Sequence, residues 1–261
     1  MRFALLGEHL GHSLSVPIHE AIFRFLGTED SYVLCPFPPS AFPEAIRSWM
    51  ETVNGFNITI PYKRAILPLL DGIHPDAEAV GAVNTAVRRG GKWVGYNTDV
   101  EGFSAMLRLH GIRTRSRDCW VLGTGGASAA AAFALRQLGA RRVCLVSRTP
   151  RTGIHSYPDF VREAEGILVN ATPAGMLGQE SSCPLTEEQL ATVLPRLDAV
   201  VDLIYNPPET PLLRAAARQG LPYCSGWSML IAQAVAAERL WQEREIPDDI
   251  IPRILKEVQL P

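Results

Sequence analysis

Between Phe56 and Ile60 apolar and polar residues alternate, which is the two-residue period of a strand with one buried face. Pro61 ends the alternation and Lys63 follows two residues later, so Asn57, Thr59 and Lys63 are expected around one strand end. Short apolar runs recur along the chain and alternate with helix-length segments. That pattern predicts an α/β protein with mostly parallel strands. In the first third, strands are expected at residues 3–6, 32–35, 55–60, 83–88 and 93–96, and helices at 16–26, 39–52 and 63–70. A helix over 98–110 leads into a second unit that opens "CWVLGTGGASAAAAFALRQLG", a strand, a glycine turn and a helix. Further strands are expected at 143–147, 167–170 and 199–203, and the segments 229–241 and 248–258 read as helical. Two domains follow, with a boundary near Gly102.

Composition narrows the class without changing that picture. A chain of 261 residues is long enough for two ordinary domains. The formal net charge is −2 and the arginines are scattered among acids, so no nucleic-acid footprint is present. Cys35, Cys119, Cys144, Cys183 and Cys224 form no C-x-x-C and no metal-like cluster with histidine, which reads as reduced thiols in a cytoplasmic protein. The opening apolar run is too short for a signal peptide, and "ASAAAAFAL" falls short of the roughly 18 residues of a membrane span. A soluble protein without membrane partners is expected.

The glycine turn carries the first chemistry. "VLGTGGASA" sets Gly123, Thr124, Gly125, Gly126 and Ala127 between a strand and an alanine-rich helix. Glycines let the backbone turn sharply beside a pyrophosphate, and the helix start offers free N–H groups. The next strand ends "LVSRTP", with Ser147, Arg148 and Thr149 where an NAD site usually carries a carboxylate. A guanidinium beside hydroxyls suits a 2′-phosphate, so NADP is expected as cofactor. Residues 148–166 contain Pro150, Gly153 and Pro158, and a strand at 154–156 leaves no room for a covering helix before it. One wall of the adenosine pocket is therefore expected to be trimmed or rebuilt.

Four polar clusters stand at strand or helix ends of the first domain: Ser13 and Ser15 in "HSLS", Asn57, Thr59 and Lys63 in "NITIPYK", Asn84 and Thr85 in "GAVNT", and Asn97, Thr98 and Asp99 in "GYNTD". Taken singly, Ser15 and Thr98 read as helix N-caps and Asn84 and Asn97 as turn residues. Together they offer a lysine, a carboxylate and neutral hydrogen-bonding groups, the equipment for binding a small polyhydroxylated acid and moving a proton on it. Lysine is a particular choice here, because the chain has three lysines against twenty-two arginines.

These motifs resemble the shikimate dehydrogenase family over nearly the full length. "GHSLS", "GFNITIPYK", "GAVNT", "NTD", "VLGTGGAS", "SRT", "VNATPAGM", "VVDLIYNPPETPLL" and "GWSMLIAQA" fall in family order. The resemblance implies an N-terminal α/β substrate domain (1–101 plus 227–261), its C-terminal helices returning to it, and a Rossmann-like NADP-binding domain (102–226). It implies NADPH-dependent, reversible reduction of 3-dehydroshikimate to shikimate, on the route to chorismate and the aromatic amino acids. Lys63 and Asp99 would be the catalytic pair. Ser13, Ser15 and Tyr205 would bind the carboxylate, and Thr59, Asn84 and Gln233 the ring hydroxyls, with Asn57 supporting the loop. Leu203 and Gly226 would lie near the nicotinamide. Val16, Val100 and Trp227–Ser228 depart from the family pattern without removing any of these polar groups. The family includes monomers and homodimers. A quinate/shikimate dehydrogenase using NAD(P), and a ligand sensor without turnover, are the alternatives; the presence of both Lys63 and Asp99 argues against the sensor.

Overall fold

The computed structural model describes every residue except His12, Pro43, Leu260 and Pro261. The chain divides into two compact units, Met1–Thr98 with Ile231–Gln259, and Asp99–Leu230.

The first unit is built on strands β1 (Arg2–Gly7), β2 (Ser31–Pro36), β3 (Gly55–Ile58), β4 (Gly72–Ile73), β5 (Thr85–Arg89) and β6 (Lys92–Tyr96), in the order β2-β1-β3-β5-β6-β4. The β1–β2, β1–β3 and β4–β6 pairs are parallel, and β5 runs antiparallel to both its neighbours. Helices α1 (Ser15–Leu26), α2 (Glu44–Met50), α3 (Tyr62–Ala65) and α4 (Pro75–Val80) connect them. One face of the sheet buries Ile46, Phe56, Ile58 and Ile66; each such side chain withdrawn from water contributes about 2–3 kcal/mol.

Two expected helices are broken. In place of a helix over 39–52 there is a 3-10 turn at Pro39–Ala41 and then α2. The helix expected over 63–70 stops at Ala65 and continues as a 3-10 turn, Leu67–Leu69, because Pro68 has no N–H to donate back along the ladder. Strand β3 also differs from the expected half-buried strand. It is buried on both faces, and Asn57 is only 5% exposed because it sits in the middle of the sheet with partners for its amide.

The second unit begins in α5 (Thr98–Leu109) and contains β7 (Asp118–Leu122), β8 (Arg142–Val146), β9 (Ile154–His155), β10 (Gly166–Asn170), β11 (Leu197–Asp202) and β12 (Tyr223–Ser225). Every pair in its sheet is parallel, in the order β12-β11-β10-β7-β8-β9, the doubly wound arrangement of dinucleotide-binding domains. β7 and β10 are buried along their whole length, which explains their unbroken apolar runs. Helices α6 (Gly126–Gln137), α7 (Tyr157–Glu163), α8 (Glu187–Val193) and α9 (Pro211–Arg218) flank the sheet. β8 reaches β9 without an intervening helix, so the sheet edge beside Ser147–Thr149 is a two-residue strand, the trimmed wall that the spacing predicts.

The last two helices, α10 (Trp227–Gln242) and α11 (Ile250–Glu257), bring residues 231–259 into the first unit. Trp241 stacks on Phe3 with ring centroids 4.5 Å apart and donates its indole N–H to the Ala86 carbonyl at 3.0 Å. Glu238 meets His19 of α1 at 2.6 Å, and neither side chain has any exposed surface. α11 buries Ile250, Ile251 and Ile254, and Glu257 pairs with Arg24 on α1. No helix among the described residues is long and apolar enough to cross a membrane.

Candidate active site

In the first unit the polar clusters are held by hydrogen bonds to one another and to the backbone. Ser15 is the first residue of α1, not its cap; Leu14 holds the cap position without a side-chain hydrogen bond. The Ser15 N–H donates to Ser13 Oγ at 3.2 Å, and the Ser13 hydroxyl donates to Ser15 Oγ at 3.1 Å. The phenol of Tyr32 is buried. That phenol donates to Asn57 Oδ1 at 2.7 Å, and Asn57 Nδ2 donates to the Asn84 carbonyl (3.3 Å) and to Thr85 Oγ1 (3.0 Å). Asn84 Oδ1 accepts the Thr98 N–H at 2.7 Å, so Asn84 supplies from the sheet a partner that the start of α5 would otherwise lack. Asn97 donates to the Ala82 carbonyl at 2.8 Å.

The lysine is fixed by its backbone. Thr59 donates its N–H to Leu6 and accepts from the Tyr62 N–H, closing the turn that leads into α3. The Lys63 carbonyl accepts the Val83 N–H at 2.8 Å, which ties α3 to the residue preceding Asn84. Tyr62 anchors the same turn through its hydroxyl, 2.6 Å from the Phe37 carbonyl, and through stacking on Phe42. Lys63 itself is half-buried, as is Gln233 on α10 of the same unit. Asp99, the first residue of the second unit, is only 7% exposed in the first turn of α5.

In the second unit, the turn after β7 has the features a dinucleotide needs. Gly123 has φ +106°, and a Cβ there would meet the Ala171 carbonyl oxygen at 2.9 Å. Nothing lies within 4 Å of a Cβ placed on Gly125, which leaves room beside the backbone. The start of α6 has no side-chain cap and no acidic residue in its first turn. Its free N–H groups and partial positive charge are thus available to a diphosphate. Ser128 Oγ, next to Gly123, is buried without a partner among the described residues. The Gly123 N–H bonds the Val146 carbonyl at 2.9 Å and so joins the turn to the end of β8, where Ser147 Oγ accepts the Thr149 N–H. Arg148 beside them is exposed. Gly123–Ala127 and Ser147–Thr149 therefore form one surface that fits NADP.

The turn after β11 carries Leu203 and Tyr205. Gly226 approaches it closely: its N–H bonds the Ile204 carbonyl at 2.9 Å, and a Cβ would lie 2.1 Å from the Leu203 oxygen. Gly226→Ala is expected to cost about 2 kcal/mol in denaturant unfolding, because backbone must move to admit the methyl group. Tyr205 and Trp227 are tilted neighbours at 6.4 Å, so the tryptophan that departs from the family pattern borders a residue singled out for the carboxylate.

Sequence reading missed Tyr32, the buried donor to Asn57. Nothing in "SYVLCP" distinguishes its tyrosine from any other strand aromatic. It also missed Asp202, fully buried at the end of β11, although a charged residue closing the apolar run "AVVD" was a usable signal.

Residues 5–86 match the family model described as the shikimate dehydrogenase substrate binding domain. A shikimate dehydrogenase (NADP(+)) of Thermus thermophilus is 40% identical over 250 residues, 92% of each chain. That of Clostridium beijerinckii is 34% identical over 95% of this chain and 94% of its own. The crystal structure of shikimate 5-dehydrogenase from a second strain of Thermus thermophilus, in complex with NADP(H) and shikimate, superposes with a TM-score of 0.87 at 36% identity, covering 98% of this chain and 99% of that one. Likeness of this extent in both sequence and architecture has one reading: the chain belongs to the shikimate dehydrogenase family.

Proposed function

We propose that the protein reduces 3-dehydroshikimate to shikimate, reversibly and with NADPH, in the route to chorismate. Residues 1–101 with 227–261 serve as the substrate domain and 102–226 as the NADP domain. The observation that carries this reading is the network of neutral hydrogen-bonding groups joining Tyr32, Asn57, Thr85, Asn84 and Thr98, with Ser13 paired to Ser15 and Lys63 tied to the network through Val83. Neutral donors and acceptors fixed by one another can recognise hydroxyls and a carboxylate without rearranging. In this scheme Ser13, Ser15 and Tyr205 bind the carboxylate. Thr59, Asn84 and Gln233 hold ring hydroxyls, and Asn57 keeps the loop in register.

NADP, held by Gly123–Ala127 and Ser147–Thr149 with Leu203 and Gly226 on the nicotinamide side, supplies or accepts the hydride when bound. The chain manages the proton. Reduction needs an acid beside the carbonyl oxygen as negative charge develops there, and the Lys63 ammonium donates that proton. In the oxidative direction the Lys63 amine takes the hydroxyl proton, with Asp99 orienting it. Arginine could stabilise the charge but would not release a proton, which accounts for a lysine at this point of an arginine-rich chain.

The test is NADPH formation, followed by absorbance, with shikimate and NADP⁺, with quinate and NAD⁺ run alongside. Turnover confined to shikimate and NADP⁺ is the expected result; none with any pair, in folded protein, would favour a sensor. Arg148→Ala is expected to raise KM for NADP⁺ about 10- to 100-fold through loss of charge-assisted hydrogen bonds to the 2′-phosphate. KM for NAD⁺ should not change; an equal rise for both would remove Arg148 from that role. In this reading the enzyme is cytoplasmic, its five cysteines reduced, and acts as a monomer or homodimer.

A further inference from the structure

The segment bearing Leu203 and Tyr205 leaves β11 through a buried carboxylate. Asp202, the last residue of that strand, has no exposed surface. Its Oδ1 accepts from Asn170 Nδ2 at 3.0 Å and from the Ile204 N–H at 3.1 Å, and its Oδ2 accepts the Thr210 hydroxyl at 2.7 Å. Asn170, equally buried, holds the next turn by accepting the Thr172 N–H at 3.0 Å and hydroxyl at 2.7 Å. Thr210 caps α9 by accepting the Leu213 N–H. One carboxylate thus joins the turn after β10, the turn after β11 and the start of α9.

An ionised carboxylate accepts all three donors and has no proton of its own to place. A protonated one must turn one oxygen into a donor, and an asparagine would leave an amide proton and the Thr210 proton without acceptors. We propose that Asp202 is a positioning residue of the reaction, its ionised carboxylate setting the turn that presents Leu203 and Tyr205. This rests on the roles proposed above for those two residues. Burial pushes the Asp202 carboxyl from 3.8 up to about 6. The titratable groups that face it are the Cys183 and Cys224 thiols; burial raises both, Cys224 to about 12, so neither changes charge between pH 5 and 8.

Two consequences have opposite signs. Catalysis follows the ionised form, so kcat/KM for shikimate falls about tenfold per pH unit below about pH 6. Stability follows the protonated form. The folded pKa lies above the unfolded value, so the contribution is full below pH 3.8 and is lost as pH rises to about 6.

The experiment measures kcat and KM for shikimate and NADP⁺ from pH 5 to 8 in the wild type, Asp202→Asn, Thr210→Val and Thr210→Ser, each checked for folding by circular dichroism. Asp202→Asn is expected to lose the acidic limb and at least about tenfold of kcat/KM near neutral pH. Thr210→Val removes a hydrogen bond that favours the carboxylate, so its limb moves to higher pH, whereas Thr210→Ser leaves the limb in place. A limb at the wild-type pH in folded Asp202→Asn and Thr210→Val would overturn the inference. Should Asp202→Asn fail to fold, the Thr210 pair decides alone. A wild type without shikimate turnover would remove the proposed function and this inference with it; an active wild type with an unmoved limb overturns the inference only.

Discussion

Lys63→Ala is expected to lower kcat for shikimate oxidation by about 10³-fold, within the range of a lost general acid–base group. KM for shikimate should change by less than about fivefold, because the network that binds the ring is made by other residues. Lys63→Arg is the sharper form of the test. Its guanidinium keeps the positive charge yet stays protonated, so charge and proton exchange are separated. If charge alone sufficed, the arginine variant would recover most of the activity. If the proton matters, it remains about 10²-fold or more below wild type. Turnover of Lys63→Ala within tenfold of wild type would remove Lys63 from the chemistry. Folding is not expected to interfere, since the tie between α3 and Val83 runs through the Lys63 carbonyl and survives the substitution.

Glu238→Ala is expected to destabilise the first unit by about 3–5 kcal/mol, the cost of leaving one partner of a buried pair behind. His19 would then keep two buried ring nitrogens without partners, because Nε2 already has none and Nδ1 bonds only Glu238 among the described residues. At this chain length such a loss lowers the melting temperature by about 10 °C. Glu238→Gln retains an acceptor for Nδ1 and should cost no more than about 1.5 kcal/mol. The two variants therefore separate the hydrogen bond from the shape of the side chain, and equal melting temperatures for them would exclude this account. The effect should also reach substrate binding. His19 stacks on Tyr32 at 3.9 Å with the rings 7° from parallel, and Tyr32 donates to Asn57 Oδ1. KM for shikimate is accordingly expected to rise in Glu238→Ala even at temperatures where the protein remains folded.

Both predictions depend on features of unequal visibility in the chain. Lys63 was legible because local chemistry singles it out: a strand, a proline that stops it, and a rare lysine two residues on. The glycine turn was legible for the same kind of reason, since a strand–glycine–helix sequence has few other uses. Glu238 and His19 were not legible. They lie 219 positions apart, and each on its own is an ordinary polar residue in a helix. Tyr32 and Asp202 belong to the same class, since Asn57 and Asn170, which they meet, come from other strands.

Local periodicity and turn chemistry determined, from the sequence alone, the alternation of strands and helices, the nucleotide turn, and the polar clusters with Lys63 and Asp99 among them. Those features depend on interactions between residues close along the chain. Tertiary structure alone decided how the clusters are wired together, that Asn57 lies buried on a strand whose pattern suggested exposure, and that α10 returns to the first unit through Trp241 and Glu238. It also decided that the buried Asp202 carboxyl meets Asn170 of the neighbouring strand as well as Ile204 and Thr210. The physical reason is common to all of them: a buried polar group must find partners wherever the fold brings them, and sequence separation does not record that distance.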